Sequence, residues 1–407
     1  MNLFRHPAAV LIALAAVAPL WAGDTKDVGF QPMFNGKDLT GWVNVNCAPG
    51  TFFVKEGEII TTGKPTGFLR TEKQYENFIT EFEWMHVNKK EVGNSGFFVW
   101  ADPLPAVGTP YTRGIEVQVL VNLEKEGYYT SQGDLFSIHG ATCKPDRPHP
   151  HGWERCLPSE NRCKGGGEWN HYKVIARDGI LKLHVNGKEV SGLSQCKPCK
   201  GYLALESEGA ECHFRNLKIK ELPSNNPKPE ETADQAKDFK NLFTGLDLSG
   251  WKADDAAKNH WQPRDWMLHY DGKGVEKGKL LRTDREYAEA EFIVDFRFPK
   301  KDEKPASWLV TLRESKEGDV QLSISPEGRF ILRIGQGESV FESKDLKPAG
   351  QWNRLRAVLE GPVVRVTLNG KANVWRGLSG APEKGAFVLQ PEREMEFGNL
   401  FVREIKK

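Results

Sequence analysis

The sequence predicts an all-β chain of two tandem antiparallel β-sandwiches, and three observations predict it. Distinctive segments recur in the same order after about 210 residues. Inside each copy, apolar and polar residues alternate with period two between glycine and asparagine turns. Sustained helical periodicity is hard to find in either copy, so sheets must supply the layers.

The repeat is legible segment by segment. Phe34-Asn35-Gly36-Lys37-Asp38-Leu39-Thr40-Gly41-Trp42 returns as Phe243-Thr244-Gly245-Leu246-Asp247-Leu248-Ser249-Gly250-Trp251, and Leu69-Arg70-Thr71 returns as Leu281-Arg282-Thr283. Phe78-Ile79-Thr80-Glu81-Phe82-Glu83-Trp84 matches Phe292-Ile293-Val294-Asp295-Phe296-Arg297-Phe298. Trp169-Asn170 and Asn186-Gly187-Lys188 match Trp352-Asn353 and Asn369-Gly370-Lys371 at an identical interval, and each unit closes on Phe214-Arg215-Asn216-Leu217 or Phe397-Gly398-Asn399-Leu400. Ile180 to Val190 reads as a hairpin, because Asn186-Gly187 accepts the positive backbone angles of a type I′ turn, and Asn369-Gly370 repeats it.

These units set the boundaries. Residues 1–23 read as a secretory signal peptide: Arg5 precedes the apolar run Ala8 to Ala18, which is shorter than the roughly 20 residues of a membrane span, and small Ala22 and Gly23 precede Asp24. The first sandwich then covers 24–222, the Pro-rich and charged 223–238 is a linker, and the second sandwich covers 239–407. Export places the protein in the periplasm or outside the cell, with no membrane span in the mature chain. All seven cysteines lie in the first half, and an oxidising compartment makes disulfides the expectation, with one thiol left over. With 56 Lys+Arg against 55 Asp+Glu the net charge is +1, which gives nucleic acid no broad electrostatic footprint.

Alternation also nominates chemistry. In Gly114-Ile115-Glu116-Val117-Gln118-Val119 the aliphatic residues face the core, so Glu116 and Gln118 stand together on the other face. Glu81 and Glu83 pair in the same way, as do Glu206 and Glu208. Acidic residues on the outer face of a sheet are ordinarily just solvated; three such pairs on neighbouring strands would instead line a groove suited to sugar hydroxyls and acid/base work. Asn94-Ser95-Gly96 and Arg70 add polar contacts. The stretch 128–162 has no clear period and contains His139, His149, His151, Trp153 and two cysteines, so it reads as a long loop walling the groove. His139 is the preferred imidazole there, although a structural histidine is the commoner role. A divalent metal on His139 and a carboxylate is compatible with these residues, but no spacing specifies one. Trp84, Trp100 and Trp153 are candidates to stack on a sugar ring if exposed.

Phe34 to Trp42, Asn94-Ser95-Gly96, Glu116-Val117-Gln118, Trp169-Asn170, Asn186-Gly187 and Phe214-Arg215-Asn216 together resemble the domain of unknown function 1080, the 3-keto-disaccharide hydrolase family, over about residues 29–222. The resemblance implies a concanavalin-like jelly roll and cleavage of glycosides oxidised at carbon 3. On it, Glu116 and His139 are the expected catalytic groups, with Arg70, Glu83, Asn94, Ser95, Gln118 and Glu206 as substrate contacts. The second unit resembles the family more weakly: Ala306-Ser307-Trp308 falls opposite Asn94-Ser95-Gly96, Arg297 opposite Glu83, Gln390 opposite Glu206, and Asp319 and Gln321 opposite Glu116 and Gln118. A degenerate, accessory second domain follows. The expectation is an exported carbohydrate-active hydrolase; the alternative is a lectin-like protein that binds glycans without cleaving them, since the fold serves both.

Overall fold

The computed structural model describes residues 28–122, 132–236, 238–300, 306–361, 363–376 and 380–405. The leader assigned to residues 1–23 lies outside these, as do residues 128–131 of the expected loop.

Each unit is a sandwich of two antiparallel sheets. In the first, a back sheet of nine strands has the Phe78–His86 and Cys212–Glu221 strands at its centre, and a front sheet of seven runs Arg155–Cys156, Leu135–Ile138, Gly114–Val121, Gly93–Ala101, Tyr202–Ser207, Gly67–Thr71, Trp42–Val45. The second unit repeats this with sheets of eight and seven strands. The alternation explains the layers: Ile115, Val117 and Val119 point inward to meet Phe82, Trp84 and Tyr172 from the back sheet in one core, while their odd-even partners face out. Trp84 and Trp100 are fully buried in that core, which removes them as sugar platforms; Trp153 is 43% exposed.

Both Asn-Gly hairpins form. Val185 pairs with Lys188 around Asn186 (φ 47°) and Gly187 (φ 89°), and Leu368 pairs with Lys371 around Asn369 (φ 47°) and Gly370 (φ 91°). Two expectations are corrected. The described part of the 128–162 stretch is not a plain loop: Leu135–Ile138, Thr142–Pro145 and Arg155–Cys156 extend both sheets, in strands too short to reveal a period. All seven cysteines are unpaired thiols; Cys47, Cys156, Cys196 and Cys212 are buried as small apolar side chains. The linker is not a free tether either, since the Gln74 amide donates to the Ala233 and Asp234 carbonyls and Ala233 is buried. Among the described residues no helix is long and apolar enough to cross a membrane.

The two sandwiches pack front to back. Val45, Phe68, Phe98, Ala101, Tyr202 and Ala204, outward residues of the first front sheet, form one apolar cluster with Phe239, Ile293 and Phe401 from the back of the second unit. Each large side chain buried there contributes about 1.5–3 kcal/mol. The second unit thereby covers part of the first unit's front face, and the rest of that face carries the polar residues.

Candidate functional site

The ladder brings the site together. Phe98 pairs with Glu116, Gly96 with Gln118, and Leu205 with Phe97, so Gly96 lies between Glu206 and Gln118 on adjacent strands. Its missing side chain matters: a Cβ at Gly96 would stand 2.7 Å from Glu206 Oε2 and 3.0 Å from Glu116 Oε1. Both carboxylates therefore lean over the same bare backbone. Glu208, at the end of the Tyr202–Ser207 strand, completes a trio.

Hydrogen bonds distinguish the three. The Tyr111 hydroxyl donates to Glu208 Oε1 at 2.7 Å, the Asn94 amide donates to Glu208 Oε2, and Gln118 Nε2 donates to Asn94 Oδ1 at 2.6 Å. Gln118 is itself anchored, its carbonyl accepting from the Tyr172 hydroxyl at 2.8 Å. Glu206 is 1% exposed and neither of its side-chain oxygens has a donor. None of the three carboxylates forms an ion pair among the described residues.

Burial without a cation disfavours charge. Desolvation, then repulsion from Glu116 and Glu208, drives the Glu206 carboxyl well above the usual range. Desolvation, then the charge of Glu208, does the same to Glu116 against an opposing pull from Arg155. Glu208 is also raised by burial, but the bonds from Tyr111 and Asn94 pull it back, so it is the member best held as a carboxylate. Tyr111, pushed far up by burial and then by Glu208, remains a donor. The patch thus sets two carboxyls that burial drives upward beside a third whose rise is opposed by hydrogen bonds, a separation of the kind a general acid and a general base require.

The other expected site residues lie elsewhere. Glu83 is on the back sheet, where it accepts from Arg215 Nε at 2.7 Å and from the Asn216 amide at 2.9 Å; the alternation gave its face correctly but not its sheet. Ser95 points into the interior and its hydroxyl donates to the Glu206 carbonyl at 2.9 Å. Arg70 shares the front face but is 5% exposed and spent on the carbonyls of Pro103, Thr71 and Ala236, with its guanidinium 4.4 Å from the Tyr202 ring centre. It lines a cavity of about 1040 Å³ between the sandwiches together with Phe239, Lys240 and Arg313. That cavity is not lined by any of the three carboxylates. His139 stacks on the Tyr111 ring (5.7 Å, 12°) and touches no carboxylate; partial covering by its neighbours lowers its pKa. Sequence reasoning singled out Glu208 only as half of a pair and missed Tyr111, whose turn-rich surroundings, Pro105 to Pro110, carry no period. Among the described residues no group of three or more His, Cys, Asp or Glu is arranged to hold a metal ion.

The second unit has lost this constellation. Anchoring the ladders on Phe97 with Leu205 and on Val310 with Leu389, Leu309 takes the place of Gly96, Gln390 of Glu206, Gln321 of Glu116 and Ser323 of Gln118. The sequence comparison had aligned Trp308 with Gly96 and Asp319 with Glu116; hydrogen-bond register moves these by one and two residues. Of the carboxylates on its front sheet, Glu314 is paired with Arg282 and Asp319 accepts from the Gln321 amide.

A jelly-roll sandwich with this face defines a glycosyl hydrolase-like, carbohydrate-active protein. The chain belongs to the family of 3-keto-alpha-glucoside-1,2-lyase-like domains, whose model matches residues 29–220 and again 238–403. Similar solved structures include a candidate glycosyl hydrolase from Parabacteroides distasonis ATCC 8503 (24% identity, 49% of this chain and 96% of that one, TM-score 0.38). A carbohydrate binding module, CBM66, from Bacillus subtilis is 13% identical over 38% of this chain and 96% of its own, with TM-score 0.31. A Bacillus licheniformis beta-glucanase is 11% identical over 39% and 94%, with TM-score 0.31. No curated protein matches the chain.

Proposed function

We propose that, after export led by the segment ending at Gly23, the first domain cleaves glycosides whose sugar carries a ketone at carbon 3. The observation that carries this reading is the trio Glu116, Glu206 and Glu208: the first two lean over Gly96, the charge of Glu208 raises both, and none of the three forms an ion pair among the described residues. A 3-keto group acidifies the hydrogen on carbon 2. Glu208, as carboxylate, takes that proton; the electron pair forms the C1–C2 double bond as the C1–O bond breaks, and the departing oxygen takes a proton from the neutral carboxyl of Glu206 or Glu116. The Asn94 amide and the Tyr111 hydroxyl hold Glu208, the base, in place by donating to it. Addition of water across the double bond would complete hydrolysis. These assignments give Glu116 the role of an acid and His139 no direct part.

Release of reducing sugar from 3-keto and unmodified disaccharides should be measured for the protein, Glu208→Gln and Glu116→Gln, with and without chelator. Loss of about 10²–10⁴-fold in either variant on the keto substrates is expected. Glycan binding without turnover by any of the three proteins would instead leave a lectin-like module.

A further inference from the structure

The loop 102–113 carries Tyr111 to Glu208, and its two ends are held by different means. At its base, Arg113 forms two bonds to Asp102 (Nε to Oδ2 2.7 Å, a terminal nitrogen to Oδ1 2.9 Å) within the first unit. Its tip is held by the second unit. The Gly108 amide donates to Asp295 Oδ2 at 2.9 Å. The Asn399 amide donates to the carbonyls of Ala106 (3.1 Å) and Thr109 (3.0 Å), and to Asp295 Oδ2 at 2.7 Å. Arg354 bridges Asp295 at 2.6 and 2.9 Å and reaches the Pro105 carbonyl at 2.9 Å. Asp295 and Asn399 are completely buried. Gly108, at φ +73°, passes so close to Trp352 that a Cβ would stand 2.2 Å from the indole.

We propose that Asp295, Arg354 and Asn399 are positioning residues for the first domain's site: they fix the tip of the 102–113 loop so that the Tyr111 hydroxyl stays on Glu208. The physical argument is one of burial. A buried carboxylate is costly unless fully paired, and here the spare hydrogen-bonding capacity of Asp295 and of its half-buried partner Arg354 is taken up by backbone groups of the neighbouring unit's loop. The pairing therefore requires the loop in this one place. Ala106 N in turn donates to the Tyr111 carbonyl at 2.9 Å, which transmits the fixed tip to the residue that touches the carboxylate. The second unit, which lacks counterparts of Glu116 and Glu206, completes the first unit's site. This rests on the proposed catalytic role of Glu208.

The test uses the full chain and two variants that loosen the clamp from opposite sides. Asn399→Gly removes the amide while tolerating the positive φ of that position (47°); Gly108→Ala drives a methyl into Trp352. Amide hydrogen exchange over 103–113 and the separate kcat and KM on a 3-keto glycoside are measured, with Gln390→Ala as a second-unit control. Both variants are expected to exchange about tenfold faster in this loop and to lose about 10–100-fold in kcat with KM little changed, as small displacements of positioned groups do; the control moves neither. Unchanged loop exchange in both variants overturns the proposal, and so does a kcat that survives fast exchange. Should the wild-type protein turn over no glycoside, the catalytic reading fails, while the exchange result still decides whether the clamp holds the loop.

Discussion

The same strand occurs in both units and meets two different environments. Phe78–His86 alternates strictly, with Phe78, Phe82 and Trp84 inside and Glu81 and Glu83 at the surface, where Glu81 lies near Lys173 (3.6 Å) and Lys218 (3.4 Å). Its counterpart Ala290–Arg297 is buried on both faces as far as Phe296. Ile293 joins the apolar contact with the first unit, and Asp295, in the place of Glu81, clamps its loop. A sheet face turned to water keeps polar side chains that screen one another; the same face pressed onto a neighbour must be apolar or exactly matched in hydrogen bonds. Divergence after duplication has thus run in opposite directions. The first unit kept carboxylates on its front, whereas the second gave up its front and specialised its back.

That contrast can be broken by exchange. Transplanting the second unit's residue into the first, Gly96→Leu, should cost about 10³-fold in kcat/KM with the sandwich intact, because Leu309 already occupies that position in a folded sheet; retained activity would remove the carboxylate trio from the chemistry. Tyr111→Phe is a milder probe. The lost hydrogen bond had favoured ionised Glu208, so its pKa rises, the acidic limb of the pH profile moves to higher pH, and the rate at neutral pH falls about tenfold; an unmoved limb would mean another group titrates. Smallest is a stability effect. Glu206 has a folded pKa above its unfolded value, so its contribution is present below the ordinary carboxylate range and is lost as pH rises through the raised value. Glu206→Gln should therefore raise Tm at pH 8 by about 2–4 °C, what about 1 kcal/mol gives in a domain of this size, and leave it unchanged at pH 4. An equal shift at both pH values would show that charge is not its cause.

Period-two alternation and the repeat made the fold legible, and they also put Glu116, Gln118, Glu206 and Glu208 on outward faces. They could not say which sheet a strand joins, because both sheets of a sandwich share the same period; that is why Glu83 was grouped with residues on the opposite side of the core. Ser95, expected as a polar contact, lies inside the Gly93–Ala101 strand, where alternation turns the serine inward. Tyr111 and His139 sit on connections whose course depends on contacts far away in sequence, as from Gly108 to Asp295. One clue to those contacts was present. Phe292-Ile293-Val294 lacks the polar alternation of its first-unit partner, which is what a strand covered on both faces should look like.

Phe68, Phe98 and Tyr202 lie on the first unit's front face and are packed against Phe239, Ile293 and Phe401 of the second. A half-chain ending at the linker would present those rings to water beside an unsupported loop, and would be prone to stick to its like. By covering that face, the second unit keeps its neighbour's outward rings out of water, so the first unit depends on it for more than the loop it clamps.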